Sequence, residues 1–303
     1  MDLSGQWNFE LDPHDQGLEA NWFTRKLAQT IQLPGSLQSQ GYGDEISVDT
    51  PWTGSIVDQS WFTEERYAPY RQPGNLKVPF WLQPKRYYKG AAWYQREVTI
   101  PDEWKGQRII LRLERPHWET RLWLDESAIG SKLSLSTPHV YDLGVNITPG
   151  KHLLTLRVDN RMLINVGPNA HSMTDHTQGN WNGIVGKIEL QAVSPVWITD
   201  VQVYPDLERR LARLFVEIDN ALLVAGSAKL DIRASGSEHP GSIPALQADL
   251  TLNPDRTRFE IEFELGPEVR LWDEFSPALY NLDFILTMQV NGQAFQDRRQ
   301  TRF

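Results

Sequence analysis

The residues best equipped for chemistry gather in one stretch, "HSMTDHTQGNWNG", residues 171 to 183. His171, Asp175 and His176 form a His/carboxylate set of the kind that holds a divalent metal. Asp175, His176, Gln178 and Asn180 instead offer the mixed donors and acceptors that a hydroxyl-rich ligand needs, with Trp181 as an aromatic face beside them. A third reading is a solvated turn, since Asn and Gly also populate ordinary loops. His171 and Asp175 would share a face only on a helix, and the stretch is loop-like, so spacing gives the metal no geometric support. No metal site is assigned.

Composition narrows the chemistry further. There is no Cys, which excludes disulfides, zinc-thiolate sites and thiol nucleophiles together. The formal net charge of −9, with Lys and Arg scattered, argues against nucleic acid as a partner. No apolar run approaches the roughly 18 residues of a membrane span. The start, "MDLSGQWNFELD", lacks the basic and apolar regions of a signal peptide, and the compartment is left open. No Gly-rich phosphate loop, HExxH or strand-linked GxSxG appears, so neither a nucleotide nor any other cofactor is expected. Ten of the twelve Trp precede residue 196, so the two parts of the chain differ in kind.

The elements that must position the loop are strands. In "TRFEIEFEL" Phe259, Ile261, Phe263 and Leu265 alternate with charged residues, the mark of a strand with one face buried and one wet. Similar runs occur at 107–114, 119–125, 152–160, 197–205, 212–219, 228–234 and 282–290, and Asn291-Gly292 predicts a tight hairpin. The chain is therefore expected to be all-β. A helix is expected only over 17–30, from Leu18, Trp22 and Leu27. Residues 42–92, rich in Pro, Gly and aromatics, show no sustained period and are expected to be an ordered excursion over a sandwich. Ser194-Pro195 ends one strand just before another begins, which predicts two domains, residues 1–195 and 196–303, the second with about seven strands in an immunoglobulin-like sandwich.

Several stretches in this order resemble the amino-terminal half of glycoside hydrolase family 2 enzymes, the family of β-galactosidases, β-glucuronidases and β-mannosidases. "LSGQWNFELDP" is similar to the family's opening strand, "LPGSLQSQGYG" to its early Pro-Gly turn, and "AAWYQREVTIPDEW" to its Trp-Tyr-x-Arg strand. "HLLTLRVDN" resembles its Leu-x-Val-x-Asn strand, "GIVGKIEL" the strand closing its first domain, and "LWDEFSPALYNLDFIL" a Trp-x-x-x-x-Pro-x-Leu-Tyr signature in its second.

The resemblance implies a jelly-roll, galactose-binding-like sandwich followed by an immunoglobulin-like sandwich, and then a (β/α)₈ barrel carrying two catalytic glutamates. Such a barrel takes about 250 residues, whereas 108 remain after residue 195. In the family the catalytic acid follows an Asn, and the chain contains no Asn-Glu dipeptide. No catalytic residue is assigned, and the chain is expected to be inactive alone, with the barrel as its partner in cis. Many relatives read Asp-Phe-Phe-Asn-Tyr-Gly-Gly-Ile before the closing strand, the Asp reaching the sugar in the barrel's pocket. Counting back from Gly183, Asn180 falls on the Asn and Trp181 on the Tyr, while Thr177 stands where the family has Asp. The substrate-binding set implied is Asp175, His176, Thr177, Gln178, Asn180 and Trp181, with Asp175 or His176 supplying the polar group that Thr177 lacks, and a terminal β-linked sugar as ligand. The rival expectations are an autonomous carbohydrate-binding module and a structural or homo-oligomerising module.

Overall fold

A computed structural model of the chain describes residues 1–53, 58–77, 85–167, 170, 173–174, 179–236 and 243–303. It divides into two compact units. The first comprises Met1–Glu103, Ile110–Leu143 and Thr148–Gln191, and the second Trp104–Ile109, Gly144–Ile147 and Ala192–Phe303. The fold is all-β throughout, a jelly-roll sandwich followed by an immunoglobulin-like one.

The first sandwich is built from β1 (Gly5–Asp12), β2 (Gln29–Leu33), β3 (Gly35–Ser36), β4 (Asp44–Glu45), β5 (Arg86–Tyr87), β6 (Ala91–Ile100), β7 (Arg108–His117), β8 (Glu119–Leu124), β9 (Ser127–Leu133), β10 (His139–Gly144), β11 (Gly150–Asp159) and β12 (Gly183–Val193). One sheet runs β2-β1-β6-β11-β8-β9 and the other β10-β7-β12-β3, with β4 and β5 paired separately. Strands distant in sequence are thus neighbours: β6 and β11 pair antiparallel along their whole length, from Ala91 opposite Asp159 to Ile100 opposite Gly150.

Alternation fails in the first half of β6, where Ala91, Ala92, Trp93, Tyr94 and Gln95 are all buried. The cause is a cover on each face. Tyr94 points into the core towards Phe9, with ring centroids 6.1 Å apart. Trp93 lies against Trp123 at 5.2 Å under a lid formed by Leu18, Trp22, Phe23 and Leu27.

That lid is the segment expected to be a helix, and the structure corrects the expectation. Only Trp22–Thr24 form a single 3₁₀ turn. The Asp12 carboxylate accepts from the backbone N–H groups of Gln16 and Gly17, both at 2.8 Å, and pins the chain as it leaves β1. Asn21, at φ 50°, then turns the chain left-handed. Gln95 fastens the far end by accepting from Leu27 N–H at 3.0 Å and donating to the Arg25 carbonyl at 2.9 Å. The spacing of Leu18, Trp22 and Leu27 serves a folded-over loop just as well as a helix. Among the described residues, the aperiodic region beyond it contains one helical turn, Ser60–Thr63, which buries Trp61, and a 3₁₀ turn, Glu65–Arg71.

The second sandwich comprises β13 (Val196–Asp206), β14 (Leu211–Asn220), β15 (Gly226–Gly236), β16 (Leu246–Leu252), β17 (Asp255–Glu264), β18 (Tyr280–Val290) and β19 (Gln293–Arg302). Its sheets are β13-β14-β17 and β16-β15-β18-β19. Leu214, Val216 and Ile218 of β14 meet Leu282, Phe284, Leu286 and Met288 of β18 in one core. Asn291 and Gly292, at φ 48° and 80°, form the two-residue turn between β18 and β19.

Candidate functional site

The site begins where β11 ends and β12 starts, because three buried asparagines tie these ends together. Asn160 accepts from Gly90 N–H and donates to the Tyr88 carbonyl, both at 2.8 Å. Its own carbonyl accepts from Asn180 Nδ2 at 2.8 Å. Asn182, fully buried, donates through Nδ2 to the carbonyls of Gly90 and Val158 at 3.0 Å and accepts from the Tyr94 hydroxyl at 3.0 Å. Amides suit this work because one side chain supplies both donors and acceptors. Burial pushes the Tyr94 phenol well above the usual tyrosine range, so it remains a donor.

A charged network anchors the end of β11. Arg157, almost wholly buried, donates to Asp15 at 2.5 Å, Glu119 at 3.0 Å and Asp159 at 2.8 Å. Arg161 grips Asp15 and Asp159 as well. Burial alone would raise the Asp15 carboxyl, but hydrogen bonds from Arg161 and Arg157 hold it below its ordinary range. The same opposition, settled by Arg161, lowers Asp159.

Above these anchors β12 pairs with the two-residue strand β3, Gly183 opposite Ser36 and Ile184 opposite Gly35. Gly183 sits at φ 142°, and a Cβ there would lie 2.3 Å from the Gly35 carbonyl oxygen, so only glycine permits the approach. The pairing sets the turn after Pro34 beside the loop before β12, although the two are about 145 residues apart.

Between them opens a cleft of about 630 Å³, within the range of about 300–1,000 Å³ common to small-molecule sites. Ser36, Gln38 and Ser39 line it from the turn, and Gly179, Asn180 and Trp181 from the loop. Lys85 and Val185 complete the lining. Gln38 holds Asn182 N–H through Oε1 at 3.2 Å, and its Nε2 is buried without a hydrogen-bond partner. Asn180 Oδ1 is buried without a partner too. A donor and an acceptor are thus left over in the lining of one cleft, where an unmet buried polar group costs about 1–3 kcal/mol. Trp181 is fixed from behind by His117, ring centroids 4.6 Å apart. Among the described residues the cleft contains amides, hydroxyls, an indole and an ammonium, with no carboxylate or activated nucleophile. Such a set can hydrogen-bond and stack against a polar ligand.

Of the loop residues singled out from sequence, Asn180 and Trp181 are in this lining. Asp175, His176, Thr177 and Gln178 lie outside the described residues, as does His171. Sequence reasoning missed Ser36, Gln38, Ser39 and Lys85. The polar run "GSLQSQG" after Leu33-Pro34 was the one available signal for the first three. A second cavity, about 160 Å³ in the second unit, is bounded by Leu211, Leu265, Val269, Trp272, Tyr280 and Phe303 among others and offers an apolar interior unsuited to a polyol.

No family model matches the chain. It is 24% identical over 295 residues to the β-galactosidase large subunit of Leuconostoc lactis, covering 92% of this chain and 42% of that protein. It is 23% identical over 296 residues to a β-galactosidase of Halalkalibacterium halodurans, covering 96% and 26% respectively. Among solved structures, Bacteroides uniformis β-glucuronidase 2 superposes with a TM-score of 0.66 at 17% identity, over all of this chain and 32% of that one. The chain therefore spans well under half the length of these proteins. Across sequence and fold it is a relative of the amino-terminal part of β-galactosidases and β-glucuronidases of the glycoside hydrolase family 2 type.

Proposed function

We propose that the chain is the non-catalytic amino-terminal part of a retaining β-glycosidase, with residues 1–195 as a sugar-contacting jelly roll and 196–303 as an immunoglobulin-like support. Its role is to hold, and partly line, the active site of a (β/α)₈ barrel that these 303 residues do not contain. The observation that carries the proposal is the cleft at the start of β12. Asn180 and Trp181 fall on the Asn and Tyr that follow the family's sugar-contacting Asp, and they line the cleft with an aromatic face and a buried amide oxygen that has no partner. Asp175, His176, Thr177 and Gln178 complete the proposed contact loop, with Asp175 or His176 replacing the family's Asp.

Retaining hydrolysis needs two carboxylates about 5 Å apart across the scissile bond, and the described lining of the cleft has none. The 303-residue chain should therefore leave aryl β-glycosides intact, and turnover by the purified chain would refute the assignment. In an enzyme that carries these domains together with a barrel, Trp181→Ala and Asp175→Ala should each lower kcat/KM at least about tenfold, the scale of one lost positioning contact. Unchanged kcat/KM in both would remove the loop from the site. One observation favours a second reading, an autonomous carbohydrate-binding module: every described lining residue of the cleft comes from the first unit. Calorimetric binding of a sugar by the isolated chain as tight as by the whole enzyme would select it.

A further inference from the structure

The chain contains two Asn-Gly dipeptides, Asn182-Gly183 and Asn291-Gly292. In such a pair no Cβ on the second residue hinders its backbone nitrogen from reaching the asparagine side chain, so the fold decides which pair reacts. Asn182 is fully buried, donates to the carbonyls of Gly90 and Val158 at 3.0 Å and accepts from the Tyr94 hydroxyl at 3.0 Å. Gly183 is held as well, opposite Ser36 in the pairing of β12 with β3. Asn291 is the opposite case. It is exposed, at φ 48°, in the turn between β18 and β19. The ladder closes with Val290 opposite Gln293, which leaves both turn residues outside it. A Cβ on Gly292 would meet nothing within 4 Å, so the nitrogen that must attack lies in open space.

We infer that Asn291 is a spontaneous modification site, at which the second sandwich acquires aspartate and isoaspartate, while the clasp keeps Asn182 unreactive. The step needs only water. The Gly292 nitrogen gives up its proton and bonds to Cγ of Asn291, and the side-chain nitrogen takes up a proton and leaves as ammonia. One water then opens the cyclic imide. Opening at the side-chain carbonyl gives aspartate; opening at the main-chain carbonyl gives isoaspartate, whose chain runs through Cβ and Cγ. Both products add a negative charge to an already acidic chain. Isoaspartate also lengthens a turn whose geometry fits two ordinary residues. The Val290–Gln293 pair should therefore loosen first, next to the paired, buried Met288 and Phe295.

The experiment incubates the 303-residue chain in mildly alkaline buffer, folded and in parallel unfolded in guanidinium chloride, and follows both Asn-Gly peptides by mass spectrometry after chromatographic separation of aspartate from isoaspartate. In the unfolded chain both pairs should convert at similar rates. In the folded chain Asn291 should stay within about tenfold of its unfolded rate, because a turn tip opens at little cost. Asn182 should react about a hundredfold more slowly than Asn291, because three side-chain hydrogen bonds must first break. Hydrogen exchange at Val290 and Gln293 should quicken in the isoaspartate fraction and not in fresh Asn291→Asp, which carries the same charge on an ordinary main chain and tolerates the left-handed backbone. Folded Asn291 surviving as long as Asn182 overturns the inference, as does conversion of both at one rate. Equal exchange in the isoaspartate fraction and in Asn291→Asp overturns the effect on the hairpin.

Discussion

Replacing Asn182 by alanine should destabilise the first sandwich far more than its location at the rim of a loop suggests. Three side-chain hydrogen bonds disappear at once: two to the carbonyls of Gly90 and Val158, and one from the Tyr94 hydroxyl. The Tyr94 ring is fully buried, so its hydroxyl cannot turn to solvent. Leaving that donor unmet costs about 1–3 kcal/mol, and each other lost hydrogen bond contributes about 0.5–1.5 kcal/mol net. The Gly90 carbonyl still receives Asn160 N–H at 3.4 Å, which softens the loss on that side. The sum is about 3 kcal/mol. At roughly 2–4 °C per kcal/mol for a domain of this size, the melting transition of the first unit should fall by about 6–12 °C.

Differential scanning calorimetry reads this directly, and a double-mutant cycle tests its cause. In a Tyr94→Phe background no orphaned hydroxyl remains, so Asn182→Ala should cost about 1 kcal/mol less than in the wild type. A drop of less than about 2 °C, or the same cost in both backgrounds, would refute the claim that Asn182 is the bond between β6, β11 and β12.

Three other perturbations follow from the same geometry. Arg157→Met leaves Glu119, Asp15 and Asp159 without their buried cation and should cost about 3 kcal/mol or more, measured by urea unfolding; a loss under 1 kcal/mol would show that Arg161 suffices alone. His139 is buried between Thr120 Oγ1 at 2.6 Å and the Ser134 carbonyl at 3.0 Å, and burial lowers its pKa. The unfolded chain protonates this histidine near pH 6.5, where the folded one resists. Stability should therefore fall as pH drops below about 6.5, and His139→Gln should flatten that slope; identical slopes would exclude the residue. Gly183→Ala places a Cβ against the Gly35 carbonyl and should separate β3 from β12, seen as loss of amide protection at Ile184 by hydrogen exchange; retained protection would show that the approach can relax.

The strands of the second sandwich were legible because each has one wet face, so that in β14 Leu214, Val216 and Ile218 alternate with Arg213, Phe215 and Glu217, of which only Phe215 is apolar. Where both faces are covered the signal fails. Trp93 and Tyr94 are equally buried, and the segment that covers Trp93 has helical spacing although only Trp22–Thr24 of it form a 3₁₀ turn. The segment turns left-handed at Asn21, in the middle of the expected helix, and no periodicity reveals that. The site divides along the same physical line. Asn180 and Trp181 could be found because local composition and neighbouring motifs pointed to them. Gln38 and Lys85 reach the cleft through one close backbone approach, Gly183 to Gly35, and through the pairing of β4 with β5. Such long-range contacts leave no mark in the residues they unite. The asparagines show the intermediate case: Asn160 ends a recognisable strand motif and Asn182 precedes another, so their positions were visible, but their work as a clasp depends on the Tyr94 hydroxyl and the Gly90 carbonyl from a third strand region. A binding cleft assembled this way should tolerate changes in the loop's polar residues far better than changes in the amides beneath them. Asp175→Asn should therefore leave the melting temperature of the first unit unmoved where Asn182→Ala lowers it.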